Sequence, residues 1–159
     1  MRSHKPPHPR PVFHRSVLNA AITGVLLGMV GLPQLSQAAD CVWQGGAGNW
    51  TDANWATCNG TFPGAADTAT VSNGTITLDV AANILQFTSS GGTVGGNNDL
   101  NITNLTHFTG AVSTQSGTGT TLAQGGLLID GGRLDLFDSR SLVNAAGQTA
   151  NWNAGNIRL

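Results

Sequence analysis

The sequence predicts an all-β chain wound as a solenoid of about four coils behind a Trp- and Cys-rich N-terminal cap. Three observations predict it. From about Ala39 onward, Gly, Thr and Asn supply 49 of roughly 121 residues (19, 17 and 13), and none of the three favours a helix. Short apolar–polar alternations recur between Gly, Asn, Asp and Ser, which is the period of half-buried strands. Charge is scarce: this stretch holds eight Asp, three Arg and one His, with neither Glu nor Lys. Stacked parallel strands have two neighbours each and little need of charged edges.

The first 38 residues are of a different kind. Four of the seven basic residues (Arg2, Lys5, Arg10 and Arg15) fall in the first fifteen positions, and Val17–Leu32 is apolar and uncharged. A Pro-containing polar stretch then leads to Ser36-Gln37-Ala38, with small residues at −3 and −1 of a cleavage site after Ala38. That is the three-part pattern of a secretory signal peptide over 1–38. Sixteen apolar positions are fewer than the roughly 20 of a membrane-spanning helix. Without this segment the formal charge falls from −1 to −5. An anionic, Lys-free chain is a poor ligand for phosphate backbones, so nucleic acid is excluded as a partner.

Residues 39–66 form the expected cap. They hold Trp43, Trp50, Trp55 and the chain's two cysteines, Cys41 and Cys58. An exported compartment keeps disulfides, and a bridge closing this 18-residue loop contributes about 3 kcal/mol. Two Cys without a nearby His lack the four ligands of a structural zinc site.

Residues 67–159 read as the solenoid. Candidate strands are Thr75–Val80, Ile84–Phe87, Asp99–Ile102, Gly126–Asp130 and Arg133–Leu136, separated by Gly and Asn suited to corners with positive φ. A step of 22 residues links Leu78, Leu100 and Leu122, as well as Val80 to Ile102, Leu105 to Leu127, and Val112 to Leu134. It gives about four coils, or roughly 20 Å of stack at about 4.8 Å per rung, with Asn and Thr in register for ladders. The alternative is an antiparallel β-sandwich. Asn73-Gly74, a strong hairpin pattern, would pair Thr68–Ser72 with Thr75–Asp79.

The segment Trp43-Gln-Gly-Gly-Ala-Gly-Asn-Trp50-Thr-Asp-Ala-Asn-Trp55, followed by Pro63-Gly-Ala-Ala-Asp67-Thr-Ala, resembles the opening of bacterial autotransporter passenger-like and adhesin-like exported proteins. The stretch Gly126–Leu136 is similar to their degenerate Gly-rich repeats. The resemblance implies a pectin-lyase-like, right-handed parallel β-helix, secretion or surface display, and a chain several times longer. No translocator barrel or sorting motif follows Leu159, and Asn156–Leu159 reads as one more strand without a cap, so the repeats are expected to be the N-terminal portion of a longer solenoid.

Three sets of residues are candidates for chemistry. Trp43, Trp50 and Trp55 either stack on sugar rings or form a small core under the disulfide. Asp130, Asp135 and Asp138 lie near Arg133 and Arg140; a glycosidase needs two carboxylates across the bond, whereas alternation about Leu134 and Leu136 puts Arg133 and Asp135 together on a solvated face. His107 stands alone. No repeated calcium-binding or nucleotide-binding motif occurs. The sequence therefore predicts no catalytic residue, metal or cofactor, and an exported structural or adhesin-like segment at the cell surface. Its partners would be host or self surface molecules or glycans, with no membrane insertion of the mature part. The alternatives are a glycan-contacting N-terminal module of a secreted carbohydrate-active enzyme and a small lyase or hydrolase using the Asp cluster. Export is tested by N-terminal sequencing of the secreted chain, which is expected to begin at Ala39.

Overall fold

The computed structural model describes residues 37–159, so the expected signal peptide lies outside the described residues except for its last two positions. Among the described residues, seventeen short strands follow one another with no helix between them. The N-terminal segment supplies β1 (Asp40–Trp43), β2 (Ala47–Asn49) and β3 (Trp55–Ala56). The first full coil is β4 (Thr68–Val71), β5 (Thr75–Thr77) and β6 (Ala82–Ile84). The second is β7 (Gln86–Ser89), β8 (Thr93–Gly95) and β9 (Leu100–Ile102). The third is β10 (Thr106–Phe108), β11 (Val112–Gln115) and β12 (Thr120–Ala123). The fourth is β13 (Leu127–Ile129), β14 (Arg133–Leu136) and β15 (Ser141–Asn144), after which come β16 (Ala150–Trp152) and β17 (Asn156–Arg158).

From β4 onward every third strand stacks in register, and β1 and β2 extend two of the three sheets. Sheet A has the order β16-β13-β10-β7-β4-β1-β3, sheet B the order β17-β14-β11-β8-β5-β2, and sheet C the order β15-β12-β9-β6. All neighbours are parallel except β1 and β3. The chain is thus a three-sided parallel β-solenoid of four complete coils. Asn73-Gly74 makes the corner between sheets A and B, so the sandwich alternative is not realised: β4 and β5 belong to different sheets and each pairs with its counterpart one coil away.

The 22-residue step does not survive as a register. Strand partners lie 18 residues apart from Ala69 to Phe87, 19 from Phe87 to Thr106, 21 from Thr106 to Leu127 and 23 from Leu127 to Ala150. Leu100 stacks on Ala82, and Leu122 stacks on Asn101. The variation comes mainly from one place. The A–B corner keeps three residues and the B–C corner four in each full coil, while the C–A corner grows from Leu85 alone to residues 145–149. A corner residue such as Leu78 is buried as well as any strand residue, and so mimics a repeat position.

Inward residues form columns through the stack. One runs Ala69, Phe87, Thr106, Leu127; another runs Val71, Ser89, Phe108, Ile129. Phe87 and Phe108 meet edge to face with centroids 6.0 Å apart. Ile84 stacks on Ile102 and Ile102 on Ala123. Coils one, two and four are lined mainly by apolar side chains, while coil three also buries Thr106, Ser113, Gln115 and Thr121. Outside, Thr75, Thr93 and Thr114 stand in register on sheet B, and Asn101 Nδ2 donates to Asn83 Oδ1 at 3.1 Å on sheet C.

Corners stack as closely as strands. Gly117 has φ +89°, and a Cβ there would lie 2.1 Å from the Gly96 carbonyl oxygen beneath it. Gly147 also has positive φ (+79°), but a Cβ there meets nothing within 4 Å. Gly147→Ala is therefore expected to cost about 1 kcal/mol, the price of a left-handed conformation. Gly117→Ala adds a backbone clash and should destabilise clearly more, by urea denaturation. Phe87→Ala, at a fully buried site, is expected to cost about 3–5 kcal/mol by the same measurement.

Candidate functional site

Cys41 and Cys58 are disulfide-bonded with their Cα atoms 4.6 Å apart, joining β1 to the chain just past β3. Trp43 and Trp50 each meet the ring of Trp55 edge to face, at 5.2 and 4.9 Å between centroids. Trp55 Nε1 donates to the Trp50 carbonyl at 3.0 Å. Gly48 leaves room for the Trp43 ring, whose nearest atom would lie 3.0 Å from a Cβ at that position. The three rings are 1%, 0% and 6% exposed. Glycan contact through Trp43, Trp50 and Trp55 is therefore corrected: a ring without an open face cannot stack on a sugar, and these three form the core beneath the disulfide.

The polar residues of the Trp43–Asp67 segment hold its backbone. Asp67 is buried; one carboxylate oxygen accepts from the Ala39 N–H and the other from the Gly64 N–H, both at 2.8 Å. Asn54 Nδ2 donates to the Gly45 carbonyl at 2.8 Å. The Asp52 carboxylate accepts from the Asn49 N–H at 2.7 Å. Thr57 Oγ1 donates to the Asp40 carbonyl. Asp79 accepts from the Thr51 hydroxyl at 2.5 Å and from the Thr51 N–H at 3.2 Å. The Thr51 hydroxyl holds the Asp79 carboxyl below its ordinary value of 3.8.

The acidic cluster of the sequence is spread along one side of the fourth coil. Asp130 sits at the A–B corner, Asp135 within β14, and Asp138 at the B–C corner with φ +55°. Asp130 Oδ1 lies 2.7 Å from Nε2 of His107, a residue that has Thr88 on one side and Leu128 on the other along the outer face of sheet A. The sequence left His107 alone because 23 residues separate it from Asp130, and only the stacking of β10 on β13 joins them. Asp135 is not on a solvated face. Its side chain is 3% exposed and bridged by Arg133 Nε at 2.9 Å and by Arg158 Nη2 at 3.1 Å, and Arg158 also lies 4.9 Å from the centre of the Phe137 ring. The outward direction predicted for Asp135 holds, but two guanidinium groups cover it.

Arg140 is close to these carboxylates in the sequence. It turns instead into the B–C corner and is 5% exposed. Its Nη1 donates to the Asn98 carbonyl at 2.9 Å and to Gly96 at 3.3 Å; its Nη2 donates to Thr121 Oγ1 at 3.0 Å. Thr121 Oγ1 in turn donates to Gln115 Oε1 at 2.8 Å. One guanidinium fork thereby ties coils two, three and four, a task for which its planar donors suit it. Burial pushes the guanidinium below its usual pKa, and the Asp99 carboxylate opposes that shift.

An open cleft of about 250 Å³ lies beside β6, lined by Trp50, Phe62, Pro63, Val80, Ala81 and Asn83 among others. Phe62 and Val80 are 38% and 40% exposed. Sequence reasoning passed over it because its walls come from the 51–66 excursion and from the first B–C corner, which are adjacent only in the fold. Protein-family models, curated proteins and solved structures were compared with the chain, and none of them matches it.

Two outcomes are expected. Arg140→Leu should destabilise by about 3 kcal/mol by urea denaturation, because the part-buried Asn98 carbonyl and the buried Thr121 hydroxyl lose the guanidinium together. Arg140→Lys should recover only part of this, since an ammonium lacks the fork. The depressed Asp79 pKa means that the Thr51 contact contributes above pH 3.8 and is lost as pH falls through the folded value. Amide chemical shifts of Thr51 followed by acid titration should report this transition, and Asp79→Asn should remove it.

Proposed function

We propose that this chain is an exported, surface-displayed β-solenoid segment of adhesin-like type, whose work is mechanical and adhesive and not catalytic. The observation that carries the reading is the continuous backbone ladder on three sides, braced at its N-terminal end by a disulfide over a Trp core. Such a stack resists bending and leaves few loops for proteases, the properties wanted of a stalk or contact surface outside a cell. The disulfide supports an oxidising compartment, in keeping with the signal-peptide pattern of residues 1–38. Asp135 and Arg140 favour a structural role for the charged residues, because each is buried against partners within the stack. The resemblance of the Trp43–Asp67 segment to autotransporter passenger-like openings agrees with display at the surface.

The purified chain, coated on beads, is expected to adhere to cells or to immobilised surface glycans while releasing no product from polysaccharides. Release of reducing ends or unsaturated sugars that disappears in Asp130→Asn or Asp135→Asn would overturn the reading in favour of a lyase or hydrolase. Proteinase K should leave the oxidised chain largely intact and, after reduction of the Cys41–Cys58 bridge, should cut first within residues 51–66.

A further inference from the structure

Sheets A and B each carry a parallel strand from the segment before the first full coil, but among the described residues sheet C does not. Its order ends at β6, whereas sheets A and B continue to β1 and β2. After β2 the chain crosses to sheet A as β3, and residues 57–67 then return it to β4. One rung of sheet C is thereby skipped, and the place it would occupy coincides with the cleft beside β6.

The backbone of β6 shows what this place offers. The Ala82 N–H donates to the Asp99 carbonyl at 2.9 Å, and the Ile84 carbonyl accepts from the Thr103 N–H at 3.1 Å. Residues 82 and 84 therefore face β9. In a parallel ladder the residue between them presents its N–H and C=O to the opposite side, so those of Asn83 point to the cleft. The rung is bracketed at both ends: the Trp50 N–H donates to Thr77 at 2.8 Å, and the Leu85 N–H donates to Asp67 at 2.8 Å. Phe62, Pro63, Val80 and Ala81 wall it with apolar surface. The Asp79 carboxylate, held by the Thr51 hydroxyl and N–H, stands at the corner that leads into β6.

We propose that this vacant rung is a strand-addition site that takes an extended peptide from a partner protein, with small apolar residues facing the cleft and a Lys or Arg at the end near Asp79. A backbone N–H and C=O side by side on a sheet edge are met together by another strand, with side-chain specificity supplied by the flanking walls. The anionic chain adds a preference for a cationic partner segment.

The test uses the full chain and the blocked hexapeptide KTVAVT. Hydrogen exchange should show the Asn83 amide open in the free protein and protected by the peptide. Asn83→Pro removes the N–H that faces the cleft at an edge where Pro is tolerated, and should weaken binding about tenfold, the effect of one backbone hydrogen bond. Asn83→Ala, which keeps the N–H, should bind as the parent does. Phe62→Asp, at an exposed position, should weaken binding without lowering the thermal midpoint, and the peptide ETVAVT should bind less well than KTVAVT. Equal binding to the Pro and Ala variants overturns the proposal, as does failure of about 1 mM peptide to protect Asn83. Protection of Asn83 in the free protein would show the rung already filled, by a second copy if it depends on concentration, and overturns it too.

Discussion

Everything in this molecule rests on one constraint: each coil's backbone lies directly on the backbone of the coil before it, at corners as well as in strands. The hydrogen bonds do not stop where a strand ends. The Thr93 N–H reaches Gly74, the Thr114 N–H reaches Gly92, and the Gly119 N–H reaches Gly96 across the corners. This leaves no space for a Cβ at positions such as Gly117, and it fixes which side chains can share the interior. Inward residues must fill a narrow prism column by column, so the size of one is set by the residue above and below it. Small residues at 69 and 123 sit in the same columns as Phe87 and Ile102.

The two ends of the described stack solve different problems. At the N-terminal end the chain folds back on itself, and the β1–β3 antiparallel pair covers the edge of sheet A. The Trp core fills the space beneath, and Asp67 and Asn54 bond the backbone turns that the excursion creates. Among the described residues, the same excursion leaves β6 without a neighbouring strand on one side. Covering one edge and exposing another are thus consequences of one chain path, since residues 51–66 cannot both cross to sheet A and lay a rung on sheet C.

Coil three departs from the apolar interior of its neighbours, and the departure is local and bonded. Ser89 and Ser113 share a hydrogen bond at 2.9 Å, and Gln115 is held through Thr121 to the Arg140 guanidinium. A buried cation is costly unless its donors are satisfied. Here the stacking of corners supplies carbonyls from coils two and three at one spot, so the fold itself builds the acceptor set. On the outer face, stacking brings Arg158 from β17 onto Asp135, which Arg133 of its own strand covers from the other side.

By itself the sequence determined the fold class, the disulfide and a Trp cluster near the N-terminal end. Period-two alternation, the excess of Gly, Thr and Asn, and the scarcity of charge each follow from stacked strands and tight corners, and all are local or compositional. The strand Arg133–Leu136 was legible to the residue because a simple alternation marks it. The register was not. Corner lengths vary from coil to coil, and buried corner residues such as Leu78 imitate strand positions, so no fixed step could find the true partners. For the same reason His107 and Asp130, the cover over Asp135, and the inward turn of Arg140 were visible only once β10, β13, β14 and β17 were stacked. The cleft beside β6 was the least legible feature of all. It arises from a rung that the described residues leave out, and nothing local in the sequence marks such a place.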